Sequence, residues 1–145
     1  MQPRPVYWLS MTTRQLNWSC TEDGCYYQKA CPKLGIFDDC MPGKIGMSDV
    51  DGIVEINGKF LLIEWKYAEA HIPVGQRIMF ERMTALSPYI TVLVVAGDPK
   101  TMEVYSYMKI HNGKMHPMER IDLEGFRRKV KAWANLAYVG RFNEQ

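Results

Sequence analysis

Between two runs rich in β-formers, residues 49–56 and 59–67, stands Asn57-Gly58, and this dipeptide constrains the chain more than any other feature. Asn-Gly tolerates positive φ at both centres of a type I′ turn, whose twist matches that of two antiparallel strands. A symmetric two-residue loop then fixes the register. Ile56 faces Lys59 and Val54 faces Leu61; further out, Asp51 falls opposite Glu64 and Asp49 opposite Lys66. Side chains alternate between faces, so Asp49, Asp51, Glu64 and Lys66 are expected on one side as a square of charges. Val50, Val54, Ile56, Leu61, Ile63 and Trp65 fall on the other, as a core face.

Directly opposed carboxylates destabilise a hairpin. A divalent cation that shares oxygens from both removes the repulsion, and Mg²⁺ in particular is held by one or two carboxylates plus waters and phosphates. Lys66, a compact point charge, suits orienting an attacking water or steadying a developing negative charge. The plainer alternative is an exposed strand face on which Lys66 pairs with Asp49. Against it, Glu64 and Lys66 sit inside the apolar run FLLIEWKY.

The rest of the pattern is α/β. Pro73 and Gly75 precede a helical stretch over 76–86, and Ile90–Ala96 (ITVLVVA) is continuously apolar and β-branched, as expected of a strand buried on both faces. Residues 102–110 and 114–118, joined around Asn112-Gly113, read as a second hairpin. A final helix is expected over 123–138, with Asp122 as N-cap and an apolar stripe of Leu123, Phe126, Val130, Trp133 and Ala137. Together these predict a single domain over 1–145 with a mixed β-sheet flanked by helices. With 145 residues, 47% hydrophobic and 23% charged, the composition excludes a disordered or fibrous chain. No apolar run approaches the roughly 20 residues of a membrane-spanning helix. The opening MQPRPVYWLS lacks an apolar signal core, so the chain reads as cytoplasmic.

Net charge is only +2, but its distribution is uneven. Residues 41–72 hold three basic and five acidic side chains; residues 109–131 hold seven basic and three acidic. An acidic centre beside a basic segment suits a cation site that touches polyanions. Arg127, Arg128 and Lys131 fall on the polar face of the last helix and are candidate nucleic-acid contacts, or plain solvated surface. All four cysteines, Cys20, Cys25, Cys31 and Cys40, lie within residues 20–40. Without a secretion signal they read either as a structural Zn²⁺ knuckle or as reduced thiols, since tight CxxC pairs are lacking. His71 trails the lysine strand toward the acidic centre.

The core Asp51, Glu64-Trp65-Lys66 resembles that of the PD-(D/E)xK nuclease superfamily, with Val50 in place of the proline. The stretch Pro73-Val74-Gly75-Gln76, then Phe80 and Met83, then VLVVAG at 92–97, resembles its VRR-NUC branch, in which a glutamine opening the helix after the lysine strand completes the site. The likeness spans residues 49–97. It implies a restriction-endonuclease-like core and a nuclease that hydrolyses DNA, with RNA left open. Asp51, Glu64 and the backbone carbonyl of Trp65 would bind Mg²⁺ or Mn²⁺, and Lys66 and Gln76 would assist. Asp49 is an addition to the family pattern, as an extra ligand or an orienting partner of Lys66. The resemblance also implies a homodimer. Many members add a glutamate from a helix before the hairpin, for which Glu22 is the candidate here. The alternative is a nuclease-like module without activity that binds DNA or a partner protein.

Overall fold

The computed structural model describes residues 33–68 and 71–140. The chain divides into two compact units, Met1–Met47 and Ser48–Gln145. Of the first, the described part contains a 3₁₀ helix, Leu34–Cys40. Cys40 is a free, exposed thiol there, whereas Cys20, Cys25, Cys31 and Glu22 lie outside the described residues.

The second unit begins with the hairpin, β1 (Gly52–Ile56) and β2 (Lys59–Tyr67). Asn57 and Gly58 take φ of 51° and 81°, and the partners are Ile56↔Lys59, Val54↔Leu61 and Gly52↔Ile63. The register is the one the turn dictates. Helix α1 (Val74–Ala85) follows and returns the chain to β3 (Ile90–Asp98), which lies parallel to β2. The helix starts earlier than the 76–86 expectation: Pro73 is the residue before its first turn, so Gly75 is inside it.

From β3 the chain turns back into antiparallel β4 (Glu103–His111), then β5 (Lys114–Met115) and β6 (Glu119–Arg120), both paired with β4. The expected strand over 114–118 is thus cut to its first two residues, and a second short piece follows beyond its expected end. Pro117 stands between the pieces and cannot donate to a ladder. Helix α2 (Leu123–Val139) closes the unit, with the Asp122 carboxylate accepting from the Gly125 N–H at 2.8 Å and Gly140 ending it in the left-handed region. The sheet is mixed, in the order β1-β2-β3-β4-β5.

Each helix covers one sheet face. Leu61, Leu93, Val95 and Tyr107 pack with Phe126, Trp133 and Ala137 of α2. Leu62, Val92, Val94 and Ile110 pack with Phe80 of α1. Alternation along β2 therefore assigns Leu62, Glu64 and Lys66 to the α1 side. The side expected to carry only charges is itself a core layer, and its charges are set into it.

Candidate functional site

The register of β2, β3 and β4 lays out the floor of the site. Glu64 lies beside Val94, which lies beside Met108; one step on, Lys66 lies beside Ala96 and Ala96 beside Ser106. Phe80 of α1 covers the preceding row around Leu62, Val92 and Ile110. The first turn of α1 reaches the next row through Gln76, whose Nε2 donates to Glu64 Oε1 at 2.7 Å. Past it the sheet face is open. The opening is a cleft of about 420 Å³ lined by Lys66, His71, Arg77, Ser106, Met108 and Met118 among others, with no acidic side chain among the described lining residues. It lies toward the carboxyl ends of the parallel strands β2 and β3, where open α/β sheets bind ligands.

Glu64 is only 6% exposed. Its Oε1 accepts from both Lys66 Nζ, at 2.9 Å, and Gln76 Nε2. Its Oε2 has no hydrogen-bond partner, and neither does the buried Oε1 of Gln76. An unsatisfied buried polar atom costs about 1–3 kcal/mol, and more when charged. Two such oxygens beside one buried carboxylate form a group built to accept and not to donate.

Asp51 stands one residue before β1, where the ladder has ended. Extending the register would bring Val50 opposite Trp65; instead the Trp65 N–H donates to Asp51 Oδ2 at 2.7 Å. In a strand the N–H and C=O of one residue face the same neighbour, so the Trp65 carbonyl turns to this edge as well. Burial pushes the Asp51 carboxyl above its ordinary value; the Trp65 N–H opposes this, and nearby Glu64 and Asp49 add to it, with Lys66 a smaller opposing influence. The residue as a whole is exposed, but its carboxyl is tucked against the sheet edge.

Trp65 is itself fixed from the other side, where its Nε1 donates to the Gly97 carbonyl at 3.1 Å. At Gly97 the β3–β4 register slips, and a Cβ there would lie 2.0 Å from the Glu103 carbonyl oxygen and 3.1 Å from the Trp65 ring. Only glycine allows this bulge to close over the indole.

The structure thus brings together Asp51, Glu64, Trp65, Lys66 and Gln76. Asp49 lies near enough to Asp51 to help raise its carboxyl, but it does not take the place opposite Lys66 that the register suggests. Because β1 starts at Gly52, residue 49 is out of the ladder and exposed, and Lys66 pairs with Glu64 instead. The expected square is a buried Glu64–Lys66 pair with Asp51 at its edge. Arg127, Arg128 and Lys131 are exposed on α2, across the sheet from Glu64 and Lys66. Arg77 and Ser106 escape a sequence reading. Arg77 follows Gln76 directly in a helix whose start could have revealed it; Ser106 is placed by the register of β4 alone.

The oxygens fit a hard cation such as Mg²⁺ or Mn²⁺: Glu64 Oε2 and Gln76 Oε1 lack partners, and the Asp51 carboxyl and Trp65 carbonyl face the adjoining edge. Among the described residues no three His, Cys, Asp or Glu side chains converge on one point, and the carboxylates they bring to this edge are Asp51 and Glu64. Among the described residues, too, no helix is long and apolar enough to cross a membrane. No family model, curated protein or solved structure matches the chain.

Proposed function

We propose that this chain is a metal-dependent nuclease that hydrolyses DNA phosphodiester bonds, with a restriction-endonuclease-like core. The observation that carries the reading is the pair of buried, unpartnered oxygens on Glu64 and Gln76 beside Lys66. Glu64, Asp51 and the Trp65 carbonyl would hold Mg²⁺ or Mn²⁺. Such an ion polarises a phosphoryl oxygen and lowers the pKa of a bound water.

The chain's own groups do the rest. Gln76 and Lys66 lock one oxygen of Glu64 and leave the other to bind. Lys66 lines the cleft, where its charge can stabilise negative charge that grows on the phosphate. Arg77 and His71 line the same cleft and suit the flanking phosphates. Among the described residues that line the cleft there is no carboxylate to repel a polyanion.

The test is cleavage of DNA with Mg²⁺ or Mn²⁺ by the full chain. Asp51→Asn, Glu64→Gln and Lys66→Met are each expected to lose about 100-fold or more in rate. Cleavage that survives all three substitutions overturns the reading. A second reading, an inactive nuclease-like module that binds DNA or a protein, draws on the lack of a third converging acidic side chain among the described residues. It predicts binding that persists in chelator, is unchanged by Asp51→Asn, and comes without cleavage.

A further inference from the structure

On the sheet face opposite Glu64 lies a second cleft, of about 740 Å³, between β4, β5 and α2. Lys109, His111, Lys114, His116, Lys129 and Trp133 are among its lining, and none of its described lining residues is acidic. The sequence already concentrates positive charge over 109–131; the fold gathers part of it around one concavity. Lys109 and His111 point from β4 to the α2 side, about 7 Å apart along the strand. Lys114 is the partner of His111 across the β4–β5 turn. Lys129 comes from the helix opposite.

Like charges gathered on one surface repel, and acidic neighbours normally offset this. Here none of Lys109, Lys114 and Lys129 forms an ion pair with another described residue. The His111 ring is held by the Pro88 carbonyl at 2.9 Å, which ties β4 to the start of β3 and steadies that wall. A concave site with three unpaired ammonium groups suits an anion that carries several charges in a row.

We infer that this cleft binds the sugar–phosphate backbone of nucleic acid, away from the strand presented to Glu64. The anion is polymeric because the lysines come from two strands and a helix, spread along the concavity. Lysine binds phosphate as a point charge without reading the base, so the contact is independent of sequence. It rests on none of the metal ligands.

The experiment is fluorescence anisotropy of a labelled DNA oligonucleotide with the full chain in excess chelator, over a range of salt. Wild type should bind with a steep salt dependence. The variant Lys109→Gln/Lys114→Gln/Lys129→Gln should bind about tenfold more weakly at low salt, its log–log salt slope shallower by about two or three. Lys114 and Lys129 are exposed, so Lys114→Gln/Lys129→Gln preserves the fold and should give an intermediate loss. Lys100→Gln, exposed in the turn between β3 and β4 and outside both clefts, should bind close to wild type. Wild-type affinity and slope in the triple variant overturn the inference. Absence of metal-dependent cleavage overturns only the nuclease reading and leaves this binding in place.

Discussion

Holding Glu64 at 6% exposure with one oxygen bonded to Lys66 and Gln76 and the other bare leaves the folded chain with a half-satisfied buried carboxylate. Removing one member of a buried ion pair typically costs 3–5 kcal/mol. Lys66→Met, which strips Glu64 of its ion-pair partner, should destabilise the chain by about 3 kcal/mol in urea unfolding. Asp51 behaves in the opposite sense. Its carboxyl is raised above the ordinary value chiefly by burial, so its ionised form is less favoured in the folded chain than in the unfolded one. Its contribution is therefore fully present below the unfolded value and lost as pH rises through the folded one. Asp51→Asn keeps an acceptor for the Trp65 N–H and removes the charge. Near neutral pH it should melt at the same or a higher temperature than wild type while cleavage fails; a clear drop in melting temperature would contradict this. The acid–x–lysine spacing made these residues legible beforehand. The departure of Asp49 was not, because nothing in residues 49–51 marks the point where β1 stops pairing.

The bulge at Gly97 shows how strands carry the site. Gly97→Ala would force a Cβ into the Glu103 carbonyl, so the β3–β4 ladder must shift and Trp65 with it. A loss of about 3 kcal/mol or more in thermal or urea unfolding is expected, with activity falling alongside. The far side of the sheet depends on Tyr107, whose hydroxyl donates to Glu119 at 2.8 Å and ties β6 to β4. Burial first, and then the Glu119 carboxylate, push the Tyr107 hydroxyl up to about 12. With the folded value above the unfolded one near 10, its stabilisation is complete below about pH 10 and fades as pH rises toward 12. Tyr107→Phe should flatten that part of an alkaline unfolding curve. The hairpin, the buried strand and the last helix were plain from turn chemistry and periodicity. The short strands β5 and β6 were not, since two-residue pairings carry no periodic signal and depend on β4.

Taken together, the described part of Ser48–Gln145 is a sheet with a helix on each face, open between β4, β5 and α2 and again where α1 stops short of the Lys66 row. The latter gap follows from the length of α1 and the parallel pairing of β2 with β3, neither of which residue types announce alone. A cation that satisfies Glu64 should stabilise the folded chain by mass action, by about 2.7 kcal/mol at a hundredfold excess over its dissociation constant. Melting with Mn²⁺ or Mg²⁺ against chelator should show a rise in wild type and none in Glu64→Gln. An equal rise in both would place the ion elsewhere.

The bond from the Trp65 N–H to Asp51 has one more consequence. A single amide proton is guarded by the carboxylate that, in the proposed site, would also hold the cation, so the end of the hairpin and the ion would share one gatekeeper. Deuterium uptake at that amide should slow when Mn²⁺ or Mg²⁺ is added and quicken in Asp51→Ala, which makes Trp65 a built-in gauge of occupancy that can be read without any nucleic acid in the tube.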